Sequence, residues 1–334
     1  MLYSFAITPD VFEPWAVNDT NREGVILVEL LRGMVESGLL ANLHGGQWIT
    51  HVRRCQDADK KAPELRAKIN ICLNLLSDRN RLVRHPKGST RDETDECRWL
   101  FWALERHRTE ADNRFQGIFS TAENIDLSEL VDDTLIPLLR ALDCPGWQGR
   151  RQSIRFPKTQ VELRRHLAPL VRYASMATLI DPYLVSHKAK FFDTVQHCAS
   201  LLGKRDGTQK AGRIRIHAGD PRYDTPEELQ ESPADRLDRW AEALRPVAAQ
   251  YGHKFRVSLW ANRPGGKRFH DRYLLTDQCG VRAPGGLDFV EDPTQANLSG
   301  WSLLDHAELT DIIQNEFHPR KSPYCHLGSR DVQA

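Results

Sequence analysis

No two of the seven cysteines stand close enough to form a C-x-x-C pair; they fall at 55, 72, 97, 144, 198, 279 and 325. That spacing excludes a zinc ribbon, and the odd count argues against a disulfide framework, leaving reduced thiols of a cytoplasmic protein as the simpler expectation. A run of about 18 apolar residues is missing too, which excludes a spanning helix. The opening Met1-Leu-Tyr-Ser-Phe-Ala-Ile-Thr8 lacks the basic stretch and apolar core of a secretion signal. Neither sign of charge is in excess. With 46 Lys and Arg against 45 Asp and Glu the net charge is +1, so any nucleic-acid site has to be a local patch. Repeats and low-complexity tracts are also lacking.

What is present is ordinary globular material: 334 residues, 40% hydrophobic and 27% charged, a length that suggests two domains. Tyr3, Phe5 and Ile7 alternate as a strand ended by Thr8-Pro9-Asp10. Val25, Val28, Leu31, Val35 and Leu39 then share one side of a helix, and Gly45-Gly46 breaks the pattern. Further helices are expected over 63–77, from about Thr90, and over 127–142, the last kinked or broken by Pro137. Residues 1–148 thus read as a mostly helical domain with a small strand component, placed to recognise a substrate or a partner. The basic run Asp78–Lys87 reads as a solvated loop. Asp10 and Glu29 are the kind of pair with which metal-dependent nucleases of the PIN type open, but no third acid joins them. The plainer reading is a turn residue after Pro9.

Residues 149–158 read as a basic linker, 159–320 as a second domain and 321–334 as a tail. In the second domain strands and helices alternate. Helices are expected over 161–174, 191–202, 235–251 and 303–317, and strands over 177–180, 213–217, 255–260 and 273–275. Such alternation predicts an α/β sandwich, a sheet covered by helices on both faces. Ligands collect at strand ends in such sheets. Asp181, His217, Asp220, Arg222, Trp260, Asn262 and Arg263 stand there, with Asn297 and Ser299 as further polar lining; for most of them a local turn role competes.

The densest chemistry lies in Arg268-Phe-His-Asp-Arg-Tyr-Leu-Leu-Thr-Asp277, where His270, Arg272 and Asp277 form an H-x-R-x4-D pattern. Alternation along a strand would project His270 and Arg272 from one side. An imidazole beside a guanidinium suits attack on a phosphodiester, the first as nucleophile or proton shuttle, the second as clamp on the phosphate oxygens. Gly285 and Gly286 supply a turn where backbone approaches an anion closely. The Cys and His placement offers no metal-ligand set.

These residues resemble the H-x-K-x4-D and G-S-x-N signatures of the phospholipase D superfamily, with Arg272 for the Lys, Gly286 for the Ser and Asp288 for the Asn. They are similar in particular to the divergent phospholipase D-like domain at the C-terminus of microtubule-interacting-and-transport proteins and in bacterial relatives. The resemblance spans roughly Phe156 to Phe317. It implies a phospholipase D-like fold for the second domain, a covalent phosphohistidine route without cofactor, His270 as nucleophile, Arg272 as clamp and Asp277 as orienting acid. Since that chemistry takes two motifs and the chain holds one, it also implies a homodimer through the C-terminal domain. Single-motif bacterial relatives are often nucleases, some acting against foreign DNA. The divergent branch implies the alternative, a catalytically silent module binding nucleic acid, a protein partner or, ranked behind these, an anionic membrane surface.

Overall fold

The computed structural model describes residues 2–13, 22–58, 62–89, 97–109, 114–203, 211–219, 231–290 and 292–333. The chain divides into two compact units, one running to Arg151 and the other starting at Gln152.

The N-terminal unit runs β1 (Tyr3–Ile7), α1 (Arg22–Ser37), β2 (Gly38–Asn42), α2 (Leu43–Ala58), α3 (Pro63–Asp78), β3 (Leu82–Arg84), α4 (Arg98–Thr109), β4 (Ile118–Ser120), α5 (Ala122–Ser128), β5 (Leu135–Pro137) and α6 (Pro145–Gln148). The helix expected to carry Val25 to Leu39 and the one expected over 63–77 are there as Arg22–Ser37 and Pro63–Asp78, but the small strand component is in fact a five-stranded sheet in the order β3-β2-β1-β4-β5. All four pairings are parallel. Its strands are short and buried on both faces, so they carry apolar runs without a period-two alternation. Every residue of β2 is buried, and it follows α1 without a gap, which is why Leu39 reads as one more helical position. The break at Gly45-Gly46 is real: His44, Gly45 and Gly46 all adopt left-handed backbone, and the regular part of α2 begins after them. The fully buried Trp48 then donates its indole N–H to the Ile7 carbonyl at 2.5 Å, tying α2 to the end of β1.

Two expectations for this unit need correction. The segment 127–142 is not one helix; α5 ends at Ser128, Leu135–Pro137 joins the sheet and Leu138–Asp143 forms a 3-10 turn, because Pro137 cannot donate within a helix. The basic run 78–87 is not a solvated loop either. It contains β3, and Arg81 is buried, donating to the carbonyls of Met34 and Val35.

The C-terminal unit runs β6 (Ser153–Pro157), α7 (Gln160–Val171), β7 (Met176–Asp181), α8 (Ala189–Leu201), β8 (Arg213–Gly219), α9 (Pro233–Tyr251), β9 (Lys254–Ala261), β10 (Tyr273–Thr276), β11 (Gly280–Arg282), β12 (Leu298–Leu303), α10 (His306–Asp311) and β13 (Cys325–Val332). A single turn of π-helix, Ile312–Glu316, extends α10. The eight strands order as β13-β9-β8-β7-β10-β11-β12-β6. β7, β8 and β9 are mutually parallel, and the flanking strands are antiparallel. The α/β expectation for the second domain therefore holds at the level of parallel strands and helices, while the first unit, expected to be mostly helical, is α/β as well.

α9 shows how sequence sets position. Ser232 and Asp235 close a capping box, Pro233 opens the first turn and Gly252 ends the helix in left-handed conformation. Its buried stripe Leu237, Trp240, Leu244 and Val247 lies against β9 and β13, each large side chain contributing roughly 1.5–3 kcal/mol. On the other face Ile180, Trp260, Phe269, Tyr273, Leu275, Leu304, Ile312, Phe317 and Tyr324 form a second apolar cluster.

The supposed linker and tail are structural. Residues 149–158 include β6, paired with β12 over five residues, and 321–334 include β13, paired along β9. Both are edge strands, whose half-exposed pattern carries little hydrophobic periodicity. A chain ending at Tyr324 is expected to lose at least about 3 kcal/mol of stability, at ~0.5–1.5 kcal/mol per lost ladder hydrogen bond, and to aggregate through the bared β9 edge. Urea denaturation with the same midpoint as the full chain would show residues 325–334 to be a dispensable tail.

Candidate functional site

Asp181 ends β7 and is 1% exposed. Its Oδ1 accepts the Tyr183 backbone N–H at 2.9 Å, and its Oδ2 accepts the Leu287 N–H at 3.3 Å. Arg272 enters from just before β10 and sets its Nε 3.5 Å from Oδ1, an ion pair without a hydrogen bond. The same guanidinium lies over the Tyr183 ring and donates through Nη1 to the Pro284 carbonyl at 2.6 Å. Burial pushes the Asp181 carboxyl above its ordinary range, while the two backbone donors and Arg272 pull it back down. Removing a buried carboxylate from water is costly, and these three partners offset that cost.

The glycine turn completes the cluster. Gly286 has a φ of +93°, and a Cβ there would come 2.7 Å from Asp288 Oδ1, 3.3 Å from Arg272 Nη1 and 3.4 Å from Asp181 Oδ2. Only glycine fits. The turn does approach an anion, but that anion is the Asp181 carboxylate; the Gly286 N–H itself goes to Ala283 O. Gly285 gives its carbonyl to Lys158 Nζ at 2.7 Å and backs onto Ser299, whose buried Oγ has no hydrogen-bond partner among the described residues. Asp288, which would repel phosphate on its own, is neutralised by Lys158 at 2.6 Å and Lys190 at 3.5 Å. Three cations thus meet two carboxylates on one rim.

His270 and Arg272 precede β10 instead of lying in it, so strand alternation does not govern them. Arg272 turns inward, whereas the His270 side chain is 65% exposed and sets Nδ1 2.9 Å from Asp271 Oδ1. A carboxylate beside Nδ1 favours the proton on that nitrogen, which leaves the Nε2 lone pair for nucleophilic chemistry. Among the described residues Asp271 is the ion-pair partner of His270, and no second histidine pairs with it.

Asp277 belongs elsewhere. It lies in the tight turn joining β10 to β11, about 16 Å from Arg272 at ~3.3 Å per strand residue. There it accepts the Ser175 N–H at 3.0 Å and Ser175 hydroxyl at 2.6 Å. Its role as orienting acid is corrected: it clips the far ends of β7 and β10. Asn262 accepts the Phe269 N–H, and Arg263 donates to Tyr324 O, so both shape loops. Asn297 is exposed ahead of β12. Trp260 is buried in the apolar cluster. His217 faces that side of the sheet too, away from Asp181, and Trp260 donates to its Nδ1 at 2.9 Å. Asp220 and Arg222 lie outside the described residues.

Lys158, Lys190, Tyr183 and Asp271 escape the sequence reading. Lys158 sits in the supposed linker, Lys190 in a helix start without motif spacing, and Asp271 between two motif residues. In the N-terminal unit Asp10 Oδ2 accepts from Ser120 Oγ, Thr121 N and Thr121 Oγ1, binding the ends of β1 and β4 together, while Glu29 is exposed on α1. Ligand atoms of Glu13, His51 and Cys55 lie within 4.8 Å of one another, a grouping that no sequence spacing announced. Burial and the Glu13 hydrogen bond push the Cys55 thiol up to about 12, opposite to what a thiolate ligand needs.

No helix of the described residues is long and apolar enough to cross a membrane. No protein-family model matches the chain. No curated protein matches it either. Among solved structures it is similar to one described as "Structure of TrmBL2, an archaeal chromatin protein, shows a novel mode of DNA binding", at 13% identity over 75% of this chain and 78% of that one. The TM-score of 0.24 is too low for that likeness to bear on fold or function.

Two outcomes are expected from these assignments. Asp277→Ala should cost on the order of 1–2 kcal/mol for its two lost hydrogen bonds, and any ligand affinity of the Arg272 rim should stay unchanged. A drop in that affinity without loss of melting temperature would return Asp277 to the site. The second concerns pH. Burial, then the charges of Arg215, His326 and Arg256, hold the His217 imidazole down at about 3. The unfolded chain therefore binds more protons between about pH 6.5 and 3; the stability is complete above the unfolded value and is lost as pH falls through that window. Between pH 7 and 5 this group alone should cost on the order of 2 kcal/mol, and His217→Gln should flatten the slope. Parallel slopes for both proteins in urea titrations would contradict it.

Proposed function

We propose that the C-terminal unit is a phospholipase D-like phosphodiesterase acting on nucleic acid in the cytoplasm, with His270 as its nucleophile. The observation that carries this reading is the His270–Asp271 pair, an exposed imidazole with a carboxylate 2.9 Å from its Nδ1, two residues along the chain from the Arg272 guanidinium. Attack by Nε2 would form an N–P bond as the P–O bond to the leaving group breaks, and water would then release the phosphoryl group. Arg272 and the two lysines supply positive charge for the phosphate oxygens. The leaving oxygen needs a proton donor, which a second copy of the chain would bring as its own His270 across a two-fold axis. The N-terminal unit then serves recognition of substrate or partner.

A second reading has its own support. The Asp181 carboxylate already fills the cradle formed by Arg272 and the Leu287 N–H, where a phosphate would otherwise sit. On that reading the unit is a silent module that binds nucleic acid or a protein through its basic rim.

Turnover of single- and double-stranded DNA and RNA, with and without EDTA, separates the two. Under the first reading hydrolysis persists in EDTA, and His270→Ala lowers kcat by at least about 100-fold with binding and melting temperature nearly unchanged. Arg272→Lys should lose less than Arg272→Ala, which also forfeits on the order of 2–3 kcal/mol of stability by stranding Asp181. Full activity of His270→Ala, or activity abolished by EDTA and restored by magnesium, would sink the assignment. Light scattering should give a dimer; an active monomer at micromolar concentration would remove the shared-site mechanism.

A further inference from the structure

On the sheet face that carries the apolar cluster, strands β7, β8, β9 and β13 line a cavity of about 220 Å³. Side chains alternate between faces along a strand, so Thr178 and Ile180 point into it, and Asp181 points the other way. The cavity is therefore separate from the Arg272 rim.

Its floor is basic by register. One row across the sheet sets Thr178 beside Arg215 and Arg215 beside Arg256; the next sets Ile180, His217, Ser258 and Ser329 side by side. Arg256 has Asp331 at 3.5 Å, a pair in which both side chains are more than half exposed and which is therefore weak. Arg215 has no carboxylate at ion-pair distance among the described residues. Two guanidiniums on adjacent strands with no acid between them repel each other, and a bound anion would relieve that repulsion.

His217 adds an oriented donor. The Trp260 indole N–H only donates, so the Nδ1 that receives it is unprotonated, and the neutral ring carries its proton on Nε2. His217 is 8% exposed, and among the described residues its Nε2 has no hydrogen-bond partner. The hydroxyl of the buried Thr178 is likewise unpartnered among the described residues. Above this polar floor the wall is apolar, built from Leu275, Ile312, Ile313 and Phe317.

We propose that this cavity binds a small phosphomonoester. The phosphate sits on Arg215 and Arg256 with the His217 Nε2–H and Thr178 hydroxyl as further donors, and the organic group packs on Ile312, Ile313 and Phe317. A phosphomonoester dianion balances two guanidiniums, where a carboxylate balances one. The volume lies below the ~300–1,000 Å³ of drug-sized pockets, which selects a small molecule over a polymer strand.

Calorimetric titration of the full chain with phenyl phosphate, inorganic phosphate and benzoate tests this. Phenyl phosphate is expected to bind with a Kd below about 1 mM, at least about tenfold tighter than either of the others. Arg215→Gln and Arg256→Gln should each weaken it about tenfold or more with melting temperature preserved, and Arg272→Gln should leave it in place. Arg256→Gln, at a half-exposed position, carries the test alone if Arg215→Gln does not fold. Three results would overturn the proposal: no binding by wild type up to about 10 mM, wild-type affinity in the folded Arg215 or Arg256 variants, or loss of binding in an Arg272→Gln protein that keeps its fold by melting temperature.

Discussion

A buried carboxylate organises the C-terminal unit. Asp181 sits at the end of a central parallel strand with 1% exposure, where an ionised group has to be compensated from within. Everything around it answers to that need. The Tyr183 and Leu287 amides turn toward it, Arg272 leans on it, and Gly286 is glycine because the oxygens of Asp181 and Asp288 and a guanidinium nitrogen crowd the space a side chain would take. Compensation spreads outward: Asp288 is drawn in beside these charges, and Lys158 and Lys190 close on it in turn. The rim is a chain of mutual neutralisations, not a row of free cations.

That arrangement divides the labour between Arg272 and His270. Arg272 is first a structural counter-ion, and whatever it offers a ligand is what Asp181 and Pro284 leave over. His270 is exposed, and among the described residues its ion-pair partner is Asp271. The proposed chemistry accordingly rests on the imidazole, with positive charge supplied collectively by the rim. On the opposite face of the same sheet the logic reverses: among the described residues Arg215 has no carboxylate at ion-pair distance, and the cavity above it is the proposed phosphate site.

The parts of this picture legible in sequence are those governed by local periodicity. α7, α8, α9 and the strands β7 to β10 follow from amphipathic stripes, caps and short apolar runs, and Arg272 of the H-x-R pair does meet the glycine turn. What stayed hidden depends on partners distant in the chain. β2 and β4 are buried on both faces and show no alternation; β6 and β13 are edge strands whose pairing comes from β12 and β9. Lys158 lies 130 residues from Asp288, and no spacing rule links them. Asp277 was misplaced for a related reason: a motif gives order along the chain, whereas a four-residue strand carries its two ends to opposite edges of a sheet.

The central functional claim is that the His270 Nε2 becomes covalently linked to phosphorus. The most direct measurement is mass spectrometry of the chain quenched in alkali during turnover of a short oligonucleotide, digested with trypsin to release the peptide Phe269–Arg272. That peptide is expected to carry a nucleotide adduct on His270, absent from His270→Ala. Hydrolysis that proceeds at full rate with no adduct on this peptide would contradict it.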